Sequence, residues 1–362
     1  MTFIAPTPID TTRLPPIGCN GRGVQDSSID RPVSLAEPSI EEQFRLVKRC
    51  GVFDHFDRLP LPDQVDTFQR CIEAYSLPVH TTSWFYELGT DDARMAQNLE
   101  ISARVGATTH NMMIYARDAS GRPVSDAEIV EGYLRCYDEG MRHGVEPTFE
   151  LHVNMWSEDP RRIVPVAEAV RRRGVPFNFT LDYSHVIFKI GNDEELDISG
   201  IREAVASGRL VIDPFERGNL VEQWLAMGIV RWVQVRSVAP NGPRNIWAPH
   251  DPEKPVAALP KFPSKPVRAG DPGRGILYPF TRPAEGEWHS PWHAHALEPT
   301  KEVVRKVLAH HAGQPGSRLR YITTEMITLP DYALNARFSL IGQNAAIAAW
   351  VRQAWTQVRT TA

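Results

Sequence analysis

The sequence predicts an α/β protein, a parallel (β/α)8 barrel of the TIM type, from three features. Short period-two apolar runs alternate with helical stripes eight times over. Glycines and capping residues punctuate them, and four late runs end in polar side chains where barrel sites lie. A chain of 362 residues suits one barrel domain spanning 1–362.

The elements follow in order. After an N-terminal arm, 14–20 reads as the first strand. Ser39 then caps a helix whose stripe is Ile40, Phe44, Val47 and Cys50, and Gly51 ends it. Strand two is 52–57, followed by a helix over 62–75; strand three is 77–84, and the next helix, 91–105, stops at Gly106. Strand four is 107–114. Ser125 and Glu128 form a capping box that opens a helix running to His143.

Strand five, 147–153, sets Phe149, Leu151 and Val153 on one face and Glu150 and His152 on the other. Pro160 stands in the first turn of a helix that ends near Gly174. Strand six is 177–182, and short helices cover 198–207 and 220–227. Strand seven, 230–236, carries Trp232, Gln234 and Arg236 on one face. A helix over 300–311, strand eight over 319–325 and a closing helix over 334–358 complete the pattern.

Residues 237–298 break the rhythm with twelve prolines, in a connection far longer than the usual roughly two to six residues. This insertion joins strand seven to helix seven, so it emerges at the C-terminal mouth and reads as a lid or partner-binding surface. Trp247, Trp288 and Trp292 argue against disorder there.

A net charge of -4 speaks against nucleic-acid binding, and no apolar run is long enough to span a membrane. The four cysteines lie far apart with no metal-binding spacing, and no secretory leader is visible. A cytoplasmic enzyme with free thiols is the expectation.

Glu150, Asp182, Gln234 and Glu325 fall at the ends of strands five to eight, where adjacent strands bring them together. Acids so close repel one another unless a cation neutralises them. Oxygen-rich ligation favours Mn²⁺ ahead of Mg²⁺, with Zn²⁺ behind. His152 shares the face of Glu150 and suits a general base or a contact to a substrate hydroxyl. Arg236 stands in the same relation to Gln234 and suits an anion or a sugar oxygen. His293 and His295, in the loop before helix seven, are expected to contact substrate over the mouth, and Asn111 to line the pocket.

Phe149-Glu150 closing strand five, Asp182-Tyr-Ser-His185 closing strand six and the late Glu325 together resemble the xylose-isomerase-like barrel superfamily. That superfamily includes sugar isomerases, ketose 3-epimerases, inosose dehydratase, C-glycoside deglycosidase catalytic subunits and endonuclease IV. The resemblance implies that Glu150, Asp182 and Glu325 are metal ligands and that His185 contacts substrate or metal-bound water. In such a site Glu150 or Glu325 moves the proton, with His152 or His185 assisting. The epimerase pattern usually has histidine where this chain has Gln234, whose amide oxygen is also able to ligate a hard ion.

The implied chemistry is proton abstraction next to the carbonyl of a sugar or keto-sugar, giving isomerisation or epimerisation. Elimination from a keto-sugar or bulky glycoside is the alternative, and a lyase of that kind would need a smaller second subunit. A sugar or glycoside substrate and an oligomeric enzyme are expected. An endonuclease-like role conflicts with the acidic balance, and a non-catalytic sugar-binding barrel is the third reading.

Overall fold

The computed structural model describes residues 9–249 and 270–361. Eight strands close into a parallel barrel in chain order: β1 (Ile17–Asn20), β2 (His55–Asp57), β3 (Val79–Tyr86), β4 (Thr109–Ile114), β5 (Glu146–Glu150), β6 (Phe179–Leu181), β7 (Val230–Val235) and β8 (Tyr321–Thr324). β1 closes the ring by pairing on both sides, Gly18 with His55 and with Thr323. Gly18 is required there, because a Cβ would stand 2.3 Å from His55 Nε2.

The helices begin and end as their sequences direct. Ser39 accepts a hydrogen bond from the Glu42 amide at 3.2 Å, and Gly51 ends that helix at φ 67°. Ser125 and Glu128 form the reciprocal box at 2.9 and 3.3 Å. All four cysteines are free thiols, and among the described residues no helix is long and apolar enough to cross a membrane.

The strands are shorter than the apolar runs that mark them. Val153, Phe177 and Leu319 are fully packed, yet they lie outside the ladder, because burial continues past the point where splaying strands stop pairing. His152 therefore lies beyond β5 and not on it. The closing helix is Leu340–Thr361 and not 334–358. Asn335, at φ 63°, forces a turn before it, while the buried apolar residues Ala333, Ala336 and Phe338 mimic a helical stripe.

Between Val235 and the helix Glu298–Gly313, the described residues form no strand and one 3₁₀ turn, Ala294–Leu297. Residues 250–269 of the sequence-predicted lid lie outside the described residues. The following flank is pressed onto the loop after β8: a Cβ on Gly273 would stand 1.9 Å from the Pro330 carbonyl oxygen. Next to it, Arg274 enters a buried ionic cluster. Its guanidinium bonds Glu158 at 2.8 Å and Glu195 at 3.1 Å, and Lys189 meets the same Glu158 oxygen at 3.2 Å. Two acids face two bases, so the cluster is balanced only while the flank is in place.

Removing one member leaves a buried charge unpaired, which costs about 3–5 kcal/mol. Arg274→Met should lower the unfolding free energy extrapolated from urea titration by that amount, through a lower midpoint at unchanged slope. Burial works against the Glu158 carboxylate, but Lys189 and Arg274 hold its pKa well below the ordinary value of 4.5. Its stabilisation is thus complete above that value and drains away as pH falls below it. A urea series across the acid range should show a shallower acid-side loss in Arg274→Met than in the parent chain.

Candidate metal centre

Each strand in this half of the barrel delivers one polar side chain to a common point. Glu150 closes β5, Asp182 follows β6, Gln234 lies in β7 and Glu325 follows β8. All four are buried. One oxygen from each of Glu150, Asp182 and Glu325 lies within 4.8 Å of the others; ligand atoms of Glu150, His152 and His185 form a second such group.

A guanidinium stands among the acids. Arg236 Nη2 donates to Asp182 Oδ2 at 2.9 Å and to Glu325 Oε2 at 3.1 Å, and its plane lies 4.1 Å from the Tyr332 ring centroid. Glu325 Oε1 accepts from Asn20 Nδ2 at 2.9 Å and from Gln234 Nε2 at 3.2 Å. Glu150 Oε2 accepts from Asn111 Nδ2. The direction of that amide is set from below: Thr180 donates to Thr148 at 2.6 Å, and Thr148 donates to the Asn111 oxygen at 3.3 Å. The Asn111 nitrogen is left to face Glu150.

Glu150 Oε1 and Gln234 Oε1 have no hydrogen-bond partner, although both are buried. Buried acceptors are rarely left so. Three carboxylates against one guanidinium also leave two negative charges uncompensated. These residues fit a divalent cation, with Glu150 Oε1, Asp182, Gln234 Oε1 and Glu325 as the oxygen donors.

The electrostatics agree. Burial, then Asp182, pushes the Glu150 pKa well above the carboxylate range. Burial also raises Glu325, with Arg236 pulling against it. Asp182 stays far below that range because Arg236 and His185 outweigh its burial.

His152 and His185 stack with ring centroids 4.1 Å apart. His185 Nε2 is 3.1 Å from Asp182 Oδ2 without the alignment of a hydrogen bond, and 4.0 Å from Glu150 Oε1. His152 Nδ1 lies on the Val153 carbonyl oxygen, so Nδ1 carries the proton and Nε2 is the free acceptor, 3.2 Å from the Tyr332 hydroxyl. Burial, then His185, lowers the His152 pKa well below 6.5.

A cavity of about 390 Å³ opens onto Glu325 and His152. Asp57 forms part of its wall, fully buried, with neither carboxylate oxygen bonded and burial lifting its pKa to about 7. Trp84, Phe85, Met113 and Tyr115 give the cavity an apolar side.

The structure thus brings Asn111, Glu150, His152, Asp182, His185, Gln234, Arg236 and Glu325 together. It does not bring His293 and His295 to them. Both are exposed, stack on each other at 5.4 Å and line no part of the cavity. A His-x-His spacing in a loop says nothing about which way the loop faces. Asn20, Asp57 and Tyr332 escaped the sequence reading. Asn20 and Asp57 end β1 and β2 with the same strand-end signature as the four chosen residues; Tyr332 lies in an irregular loop with no period to mark it.

No family model and no curated protein matches the chain. Solved structures do. A D-allulose 3-epimerase from Methylomonas sp. superposes with a TM-score of 0.51 at 13% identity, covering 94% of this chain and 97% of that one. A xylose isomerase-like TIM barrel protein from Mycobacterium smegmatis, in complex with magnesium, gives 0.51 at 13% identity, covering 97% and 99%. A D-psicose 3-epimerase from Clostridium cellulolyticum H10, with D-tagatose, gives 0.52 at 9% identity, covering 94% and 99%. Identities this low speak to architecture alone: this chain shares the closed (β/α)8 barrel of these proteins.

Proposed function

We propose that this protein is a divalent-metal-dependent enzyme that abstracts a proton next to the carbonyl of a sugar or keto-sugar, in the manner of an isomerase or epimerase. The observation that carries this reading is the convergence of Glu150, Asp182 and Glu325 within 4.8 Å, beside two unpartnered amide and carboxylate oxygens. A divalent ion held there, Mn²⁺ first and Mg²⁺ or Zn²⁺ after it, supplies Lewis-acid polarisation of the substrate carbonyl.

The chain's own residues do the rest. Glu325 lies at the cavity wall, where a substrate carbon has access to it, and Glu150 stands behind it; either carboxylate is a proton carrier on one face. His152 offers the unprotonated Nε2 to the same cavity, and Tyr332 hands it a hydroxyl through which a proton passes. His185 holds Asp182 and the His152 ring in position. Arg236 fixes two carboxylates and steadies negative charge beside them. Return of the proton to the neighbouring carbon gives isomerisation; return from the opposite face gives epimerisation.

The apolar wall of Trp84, Phe85, Met113 and Tyr115 favours a second reading, elimination from a keto-glycoside. A polyhydroxylated ring alone leaves such a wall idle, whereas a bulky leaving group fills it.

Protein purified from Mn²⁺-supplemented medium should carry one divalent ion per chain, and chelation should abolish deuterium exchange from solvent into keto-sugars until Mn²⁺ is returned. Exchange that survives complete metal removal would sink the metal reading. Gln234→Leu should weaken metal binding by at least roughly the 10–100-fold that loss of an outer-shell partner costs, while Gln234→His preserves it; equal affinities in Gln234→Leu and the parent chain would remove Gln234 from the ligand set. His152→Ala should slow exchange roughly 10²–10⁴-fold with metal content unchanged. Release of an aromatic leaving group from a 3-keto-glycoside, tested in parallel, separates elimination from isomerisation.

A further inference from the structure

One positive charge that the candidate metal centre does not use lines the same cavity. Arg22 occupies a 3₁₀ turn, Gly21–Gly23, directly after β1, and its amide bonds Asn20 Oδ1 at 3.0 Å. The turn has no room to shift. A Cβ on Gly23 would stand 2.2 Å from the Met326 carbonyl oxygen, and one on Gly21 would stand 2.8 Å from Arg58 Cδ. The Arg22 side chain leaves this fixed point to line the same cavity as Glu325 and His152.

There its guanidinium is partly withdrawn from water and makes no hydrogen bond or ion pair with any described residue. Burial, then the neighbouring cation Arg58, lowers its pKa, with Glu37 and Glu325 pulling the other way; Glu37 is already engaged by Arg58. The third arginine of the cavity, Arg94, is engaged by Asp91 at 3.2 Å. Arg22 is thus the cavity arginine without a hydrogen bond or ion pair to a described acid, and the attraction of Glu37 and Glu325 offsets only part of the cost of desolvating it beside a like charge.

We propose that Arg22 is a substrate-recognition residue that binds a carboxylate, and that the substrate is an acidic sugar carrying a carboxylate besides its reacting carbonyl. This rests on the sugar reading of the metal centre. A guanidinium fork matches a carboxylate edge with two parallel hydrogen bonds. A phosphate dianion fits less well. It calls for more donors than one free guanidinium offers, and it would share the cavity with Asp57, Asp91 and Asp331. Because Arg22 and Glu325 line one cavity, the anion belongs to the reacting molecule and not to a separate effector.

The test is calorimetric binding to the Mn²⁺-loaded protein, without turnover. The probes are D-glucuronate and D-galacturonate, their parent hexoses, and D-glucose 6-phosphate. At least one uronate should bind roughly 10–100-fold more tightly than its parent hexose, the range of a charge-assisted hydrogen-bonded pair. Arg22→Met should collapse that ratio to near one, and Arg22→Lys should keep part of it. Both variants should melt no lower than the parent chain, since the side chain removed has no partner.

Equal binding of uronates and hexoses, a preference that persists in Arg22→Met, or failure of both uronates to bind overturns the proposal. Tighter binding of the 6-phosphate than of either uronate overturns the choice of carboxylate. Deuterium exchange is read separately. An uronate preference without exchange therefore counts against the proposed chemistry and not against Arg22.

Discussion

One nitrogen of Arg236 holds two of the three carboxylates that the closing barrel forces together, and the rest of the site follows from what it leaves undone. Its single positive charge settles Asp182 as an anion and shares Glu325, but it forms no hydrogen bond or ion pair with Glu150, on which it acts only through space. Two negative charges stay uncompensated in a region closed to water, where they are costly unless protonated or met by a cation. The centre is therefore poised by the barrel's geometry, which places consecutive strand ends side by side, and by the shortage of positive charge around them.

Orientation is supplied from beneath. The hydrogen bonds from Thr180 through Thr148 to Asn111 run across β6, β5 and β4, and they leave the Asn111 amide only one way to face. One Glu150 oxygen is thereby occupied and the other is presented. His152 is handled similarly by the Val153 carbonyl, which decides which ring nitrogen carries the proton. For Asn111 and Glu150 the preorganisation lies in strand interiors, while His152 is oriented by the backbone just past the end of β5.

Much of this was legible in the sequence, for definite reasons. A strand that ends in Glu150 or Asp182 announces its polarity at fixed period, and barrel closure turns the linear order of such ends into neighbourhood. Arg236 was readable as a partner of Gln234 by spacing, but its bonds to Asp182 and Glu325 cross from strand to strand and no local pattern encodes them. Tyr332 was invisible because its position depends on the irregular loop after β8. Asn20 and Asp57 carried the same strand-end signature as the chosen four and were overlooked on strands whose runs are short. His293 and His295 lie exposed on a loop away from the cavity, and residue type alone does not say which way such a loop faces. The closing helix was misplaced because buried apolar residues in a turn imitate a helical stripe until a left-handed Asn335 breaks it.

Arg274 gives the long mouth excursion a further meaning. Its guanidinium completes a charge balance that the barrel loops cannot complete alone, for Glu158 and Glu195 would otherwise face Lys189 by itself. The excursion is thus no detachable ornament that an engineer could trim to obtain a minimal scaffold or exchange freely with the loop of another barrel. Any lineage that shortened it would first have had to neutralise one of those acids. The two changes are bound to travel together, and a homologous chain with a short connection here should lack an acid at the position of Glu158 or Glu195.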